Sequence, residues 1–459
     1  MRYKLAIIAG KLAKAGLRLL GRGGTALPGI VARFFDGSVL RQMASRVKFG
    51  SIVITGTNGK TTTARMISDG LDRNGYIVLN NRSGSNLERG LIATFLDACD
   101  WRGEVDADVA VLEIDEADLV NLISQLSVKQ LIITNFFRDQ LDRYGEILAL
   151  RDLVKQAVEE MNAGASLVLN ADDPLVASME DCVPEGVEVK YFGLKIEYES
   201  DDFALDGRDC VNCGQELSYQ KKYIAHLGDY SCKNCGYARM EPDVSIAEIE
   251  SVGITGTKVI ISRRSKDDLE LFLPLPGVFN LYNLLAAVAS VDLMDGVDDG
   301  LLKDAVAKFK PVFGRFEKVQ VNDQEIYLML SKNPTGFNEL IKTLMVEGGG
   351  LNLVFILNDN YADGRDISWI WDIDLEKLRE RINWLAVSGT RGEEMLLRVK
   401  YAEYPMERVG LEKNYRQLIA DITAMPSSQR VFVLSTYTGM LELRAELQKK
   451  GLVEGFWND

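Results

Sequence analysis

Thirteen residues constrain this chain more than any others: Ser51 to Thr63, SIVITGTNGKTTT. Four β-branched residues, Ile52, Val53, Ile54 and Thr55, read as a buried strand. Gly56-Thr57-Asn58-Gly59 follows as a turn, and Lys60-Thr61-Thr62-Thr63 opens a helix running on through Ala64, Met66 and Leu71. A strand passing through a glycine turn into a helix N-terminus is how a backbone cradles phosphate. Amides point at the anion, the helix dipole adds positive potential, and a lysine reaches the outer phosphates. The common eight-residue form begins with glycine where this chain has Ile54, so the loop is a shorter variant. The alternative is a plain glycine turn.

Beyond the loop, strands and helices alternate: a helix over 61–74, strand 76–79, helix 87–98, strand 109–114, strand 131–135, a helix near 145–161, and strand 166–170. That rhythm means βαβ units and a mainly parallel sheet. Ligands of such sheets sit at the carboxyl ends of the strands, which is where the polar clusters fall. Strand 109–114 runs into Glu113-Ile114-Asp115-Glu116 and Asp118. Strand 131–135 runs into Asn135 and Arg138-Asp139-Gln140-Leu141-Asp142-Arg143, and strand 166–170 into Asn170-Ala171-Asp172-Asp173-Pro174. Acidic residues beside a phosphate loop hold the magnesium that neutralises a triphosphate. Glu113, at the end of a buried strand where an unpaired carboxylate is costly, is the best candidate. Asp172 and Asp173, before a proline, read equally well as helix N-caps.

From about 196 to 243 the rhythm breaks. Cys210-Val211-Asn212-Cys213-Gly214 and Cys232-Lys233-Asn234-Cys235-Gly236 are two CxxCG knuckles with 18 residues between the inner cysteines. Two knuckles give tetrahedral sulfur ligation of zinc, and four thiolates make the site structural, since a catalytic one keeps a water. Cys99 and Cys182 stand apart and read as inert thiols. The single histidine, His226, lies between the knuckles and is expected at the surface. Residues 243–274 read as strands. A helix then starts near Asn280 and Asn283, which share a face suited to a base or sugar, or else serve as caps. A further helix near 298–309 leads to Pro311–Phe316, which resembles a hinge.

Residues 317–459 alternate again, with strands at 326–331, 351–357, 383–388 and 430–435 and helices at 336–347, 373–382, 391–402, 412–424 and 437–449. They predict a second parallel α/β domain without a phosphate loop. Its polar residues concentrate after strand 351–357, in NDNYADGRDISW. The expected division is a basic N-terminal helical segment 1–48, an ATP-binding domain 49–312 with the zinc ribbon at about 205–240, and a C-terminal domain 313–459.

A net charge of −14 argues against general nucleic-acid binding, which needs a basic face. Residues 1–48 run against that balance, with ten Lys or Arg and only Asp36 acidic. LAIIAGKLAKAGLRLL reads as an amphipathic helix with Lys11, Lys14 and Arg18 opposite its apolar side. It either packs on the next domain or rests on an anionic membrane surface. No run of 18 apolar residues predicts a spanning helix, and no cleavage site marks a signal peptide, so the expected setting is cytoplasmic.

TGTNGKTTT, the run EIDEAD, TNFFRDQLDRYGE, LNADDP, LPGVFNLYNLLAA and GRFE, in that order, resemble the Mur ligase family, ATP-dependent ligases of peptidoglycan precursor synthesis. The four-cysteine insertion, the lack of a UDP-sugar domain and ADGRDISWIWD narrow the resemblance to the branch that amidates lipid II. It implies a Mur ligase-like P-loop domain with a parallel sheet, plus a Rossmann-like C-terminal domain. Residue by residue it implies ATP contacts from Gly56, Thr57, Asn58, Gly59, Lys60, Thr61 and Thr62, adenine-side contacts from Asn280 and Asn283, and Arg315 at the phosphates. Magnesium falls to Thr61 and Glu113, and structural zinc to Cys210, Cys213, Cys232 and Cys235. Asp139-Gln140 replaces the family's Asp-His, which puts a second magnesium ligand in doubt, and Lys332-Asn333-Pro334 replaces His-Asn-Pro.

The implied reaction is transfer of phosphate from ATP to the D-glutamate α-carboxylate of the stem peptide, then displacement by ammonia to give isoglutamine. Glutamine hydrolysis by a cysteine needs a histidine base, and with His226 alone in the ribbon this chain does not supply the pair. A separate glutaminase subunit is therefore the expected partner, and the resemblance implies a GatD-like glutamine amidotransferase. In the branch, an aspartate of the C-terminal domain completes the partner's Cys–His pair; by motif position it is Asp366, with Asp363 the runner-up and helix capping the alternative. Two other readings remain: a stand-alone muramyl-peptide or folylpolyglutamate-type ligase, and a zinc-ribbon nucleic-acid-binding ATPase.

Overall fold

The fold is that of a computed structural model, which describes residues 1–19, 26–81, 86–137, 147–196, 208–310, 315–321, 324–426 and 429–453, without the side chains of 18, 19, 251–253 and 315. Asp139, Gln140 and their neighbours, the stretch 311–314 of the expected hinge, and the side chain of Arg315 lie outside that description.

Apolar, β-branched runs flanked by polar turns become β1 (Ser51–Thr55), β2 (Val78–Asn80), β3 (Val109–Glu113), β4 (Val128–Ile133), β5 (Ser166–Asn170) and β6 (Glu188–Leu194). β1, β3 and β5 are buried at every residue, as strands covered on both faces must be. A hairpin of β7 (Ser218–Ile224) and β8 (Leu227–Ser231) stands apart, and β9 (Val244–Gly253), β10 (Gly256–Arg263) and β11 (Lys266–Leu273) return to the main sheet. The order is β11-β10-β9-β6-β5-β4-β1-β3-β2, parallel from β2 to β9 and antiparallel at β9-β10-β11. β1 lies between β3 and β4, so the phosphate loop leaves the sheet where the connections diverge, the usual ligand position in such sheets. Ile54 is in register with Glu113 on one side and Ile132 on the other, which sets both neighbouring strand ends level with the loop.

The second sheet contains β12 (Arg315–Val321), β13 (Gln324–Leu330), β14 (Leu351–Ile356), β15 (Ile382–Ser388), β16 (Val409–Leu411) and β17 (Val431–Ser435), in the order β12-β13-β17-β14-β15-β16. It differs from the sequence expectation in three places. β12 is an extra strand, antiparallel to β13, and β16 is a short parallel edge strand. The helix expected over 373–382 is two 3₁₀ segments, Ser368–Asp372 and Leu375–Arg381, wrapped around the Arg398 guanidinium, which donates to the carbonyls of Ile370 and Ile373.

The N-terminal segment packs on the main domain. Helix Arg2–Leu19 lies against helix Glu88–Ala98, with Tyr3, Ala6, Ile7 and Gly10 buried. The sides are the reverse of the simple amphipathic expectation. Lys11 turns inward and donates to the carbonyls of Leu96 and Cys99 at 2.8 and 2.6 Å, while Lys14 pairs with Asp97. Cations at a helix C-terminus satisfy its orphan carbonyls and complement its dipole. The large apolar side chains are left outside: Leu5, Ile8 and Leu12 here, and Leu27, Ile30 and Phe34 on helix Ala26–Phe35.

Candidate active site

The loop is fixed by the ends of β4. Asn58 N–H donates to Asn135 Oδ1 at 2.9 Å, and Asn135 Nδ2 donates to the Asn58 carbonyl at 3.1 Å. Thr57 N–H donates to the Asn135 carbonyl, and its hydroxyl accepts from the Phe137 amide at 3.0 Å. Two glycines are obligatory. Gly56 has φ +124 and a Cβ there would lie 2.3 Å from Thr134 Oγ1; Gly59 has φ +91 and a Cβ would lie 2.1 Å from Asn283 Oδ1. Helix Lys60–Arg73 begins immediately after, so its first amides face the space over the loop.

That space is a cleft of about 490 Å³ between the two sheets. Thr57 to Thr61 line its floor, and Glu113 and Asp115 stand on the β3 side. Lys332, Asn333, Thr335 and Tyr437 reach in from the C-terminal domain. The two halves touch at the loop itself, where Asn333 Nδ2 donates to Asn58 Oδ1 at 3.3 Å. Lys60 Nζ donates to the Gly56 carbonyl at 2.7 Å and to Glu116 Oε1 at 3.2 Å, with Asp115 at 3.7 Å. The lysine is thus held over the loop by the acids that follow β3. Glu113 is 4% exposed, and its backbone is locked to Asn81 on both sides, Asn81 Nδ2 to its carbonyl and its N–H to Asn81 Oδ1. A buried carboxylate beside a threonine at a helix N-terminus suits a hard cation with oxygen ligands, and Thr61 with Glu113 fits magnesium.

The other candidates divide. Asn283 lines the cleft, whereas Asn280 sits behind it, donating to the Pro276 carbonyl and accepting from Asn283 Nδ2. Asp173 is a helix cap, accepting from the amides of Leu175 and Val176, and from Phe136 as well. Asp172 is fully buried and takes Arg239 Nε at 2.5 Å, Tyr282 Oη at 2.7 Å and the Leu194 amide at 2.8 Å. Burial pushes its carboxyl up against the pull of Arg239. Both aspartates are structural.

In the ribbon, Cys210 and Cys235 Sγ are 3.5 Å apart, as are Cys213 and Cys232, and all four sulfurs lie within 4.8 Å of one another. Tetrahedral zinc at its usual bond length separates sulfurs by about 3.8 Å, so the donors fit the ion. The knuckles repeat one pattern: Cys210 N–H to the Gln215 carbonyl and Gly214 N–H to Cys210, then Cys232 to Tyr237 and Gly236 to Cys232. Hydrogen bonds from Asn234 and the Gln215 amide hold Cys213 down to about 6, while desolvation and neighbouring thiols push Cys235 up to about 12 despite the Tyr237 amide. Sulfurs this close cannot all ionise without a cation to share.

His226 corrects the sequence reading. It is 1% exposed at the tip of the β7–β8 hairpin, its ring edge-on to Phe137 at 5.0 Å and Nε2 3.4 Å from Asp173 Oδ1. Neither ring nitrogen has a hydrogen-bond partner among the described residues. In the C-terminal domain, Asp366 is exposed, with one oxygen accepting the Ser368 amide at 2.8 Å. Asp363 is buried and spent on Thr438 and the Asn360 amide.

Known proteins share this arrangement. The Mur ligase middle domain matches residues 54–291, and the MurT ligase C-terminal model matches residues 330–440. The chain is 35% identical to the subunit MurT of the glutamine-hydrolysing lipid II isoglutaminyl synthase of Streptococcus pneumoniae, across 99% of this chain and 98% of that one. The chain belongs to the MurT branch of the Mur ligase family. A second MurT, from Staphylococcus aureus, is 34% identical over 88% of this chain and 89% of its own. Among solved structures, a pseudomurein peptide ligase type C from Methanothermus fervidus superposes with TM-score 0.64 at 25% identity, covering 88% of this chain and 79% of that one. MurF from Acinetobacter baumannii gives 0.66 at 18% identity, covering 92% and 81%, and supports the fold alone. A MurT-family protein is a ligase of the ATP-dependent Mur type, acting in peptidoglycan synthesis.

Proposed function

We propose that this protein uses ATP to activate the α-carboxylate of D-glutamate in the lipid II stem peptide, which is then amidated to D-isoglutamine by ammonia from a GatD-like glutamine amidotransferase subunit. The observation that carries this reading is the loop Gly56–Thr62 at the strand-order switch, flanked by Glu113 and covered by the C-terminal domain.

A carboxylate resists ammonia until one oxygen becomes a leaving group. Its oxygen attacks the γ-phosphorus, the bond from that phosphorus to the β-bridging oxygen breaks, and ADP departs. Ammonia then attacks the acyl carbon, the carbon–oxygen bond breaks, and orthophosphate leaves with the amide formed, taking up the proton that the nitrogen loses. Lys60 and the loop amides stabilise charge on the phosphoryl group, a task the family resemblance assigns to Arg315 as well. Magnesium held by Thr61 and Glu113 would neutralise the phosphate oxygens.

The histidine inventory supports a second subunit. His226 is the chain's single histidine, it is buried, and no thiol bonds to its ring, so it forms no Cys–His pair. Asp366, exposed in the loop after β14, is the aspartate offered to the partner's imidazole. We read the chain as segments 1–48, 49–312 and 313–459, with the third meeting the partner. Amidation of lipid II with glutamine plus partner, against ammonium alone, tests the division of labour.

The reading places the protein in the cytoplasm at the inner membrane face. Among the described residues no helix is long and apolar enough to cross a membrane. Leu5, Ile8, Leu12, Leu27, Ile30 and Phe34 are instead left exposed on two packed helices, Phe34 at 84% exposure, in a segment carrying ten basic residues and one acidic. Fully burying an exposed side chain of this kind is worth about 1.5–3 kcal/mol and a basic residue at an anionic surface about 1 kcal/mol, so apolar insertion and charge contribute on a similar scale. Arg33 on the same hairpin pairs with Glu88, two residues from cleft-lining Asn86.

A further inference from the structure

The zinc ribbon reaches the cleft. Cys232 directly follows β8, and β7 begins a few residues after Cys213, so the metal ligands stand at the base of the hairpin. Strands of this length carry its tip roughly 20 Å away. The turn there is Ala225-His226, with Ala225 at φ 49, and the residues flanking it, Ile224 and Leu227, line the cleft. The hairpin is anchored along its way: Tyr223 Oη donates to the Leu194 carbonyl at 3.1 Å, the Gly228 amide to the Asp172 carbonyl at 2.8 Å, and Tyr219 Oη to the His226 carbonyl at 3.0 Å. His226 packs edge-on against Phe137, whose backbone pins Thr57 of the phosphate loop.

The cleft has two chemically different sides. Glu113 ends β3 and Asp115 follows it, on one side of β1. Phe137 follows β4, and the hairpin covers the ends of β5 and β6, on the other side. A triphosphate and its metal need amides, cations and carboxylates; an apolar wall offers them nothing. A heteroaromatic ring gains from that wall, through burial and dispersion on both faces. We infer that Ile224 and Leu227, at the tip of the ribbon hairpin, form with Phe279 and Tyr282 the apolar wall that receives the base of the bound nucleotide. The ribbon therefore sets affinity for the base and leaves affinity for the phosphates alone. This rests on the ATP reading of the cleft.

Calorimetric titration of the full chain with magnesium ATP and, separately, with inorganic tripolyphosphate tests it. The double variant Ile224→Ala/Leu227→Ala should lose at least tenfold in ATP affinity while tripolyphosphate binding changes less than twofold, which also shows that the loop is folded. In the unaltered protein, hydrogen exchange of amides 218–231 should slow with ATP and stay unchanged with tripolyphosphate. Equal weakening of both ligands, unchanged ATP affinity, or equal protection by both would overturn the inference. If the unaltered protein binds neither ligand, the nucleotide reading itself fails.

Discussion

Asn283 Oδ1 sits 2.1 Å from the point where a Cβ on Gly59 would lie, so helix Val278–Val291 closes directly on the phosphate loop. Gly59 also has φ +91, which side chains tolerate poorly. Gly59→Ala should therefore combine backbone strain of about 1–3 kcal/mol with displacement of Asn283. Nucleotide affinity measured by calorimetry should fall on the order of a hundredfold or more. Binding as tight as that of the unaltered protein would show that the loop is not the phosphate site.

Lys60 is held over the loop by Glu116 and Asp115, ready to exchange carboxylate for phosphate. Lys60→Ala should lose amidation with glutamine and with ammonium alike, by about 10²-fold or more. Full ammonium-dependent activity would remove ATP activation from this cleft.

Asp366→Asn should behave differently. Orientation of the partner's imidazole would be lost, so glutamine-dependent amidation should drop by roughly 10²–10⁴-fold while amidation at high ammonium persists. Loss of both routes would place Asp366 in the ligase step or the fold. Asp363→Asn, by contrast, turns one of two buried acceptor oxygens, which take the Thr438 and Asn360 amides, into a donor and should show first as a lower Tm.

How far the sequence could be read is clear from particular elements. The run from Ser51 through Gly59 announced strand, loop and helix because apolar continuity and glycine are local signals, and the knuckles were legible for the same reason. Failures came from long-range packing. His226 looked polar and exposed until a hairpin folded it onto Phe137 and Asp173. Lys11 and Lys14 looked like the wet face of a helix, yet the C-terminus of helix Glu88–Ala98 claims them. Residues 373–382 carry helical periodicity, but Arg398 takes the Ile373 carbonyl and the Glu376 carboxylate into another arrangement. β12 was missed because its place at a sheet edge, in an antiparallel pair, leaves no apolar run.

Zinc analysis of the purified chain should find about one ion per molecule. Cys232→Ser should lower the Tm and weaken ATP binding together, since the hairpin joins the ribbon to the cleft. Absence of zinc in the native protein would end this reading.

Vesicles containing anionic lipid should sediment the full chain, and the double change Leu12→Glu/Phe34→Glu should release it. Because apolar insertion contributes alongside charge, added salt should weaken binding without abolishing it. Equal sedimentation of variant and parent would move the membrane contact elsewhere; a dimer lost in the variant would assign the surface to a second copy.

The central claim is that this chain makes a phosphate leaving group from a carboxylate while another chain makes the ammonia. Lipid II labelled with ¹⁸O in the D-glutamate α-carboxylate, incubated with this chain, ATP and ammonium, tests it most directly. Mass spectrometry of the released orthophosphate should show one ¹⁸O transferred per amide formed, with no glutaminase present. Unlabelled orthophosphate accompanying amide formation would contradict the account.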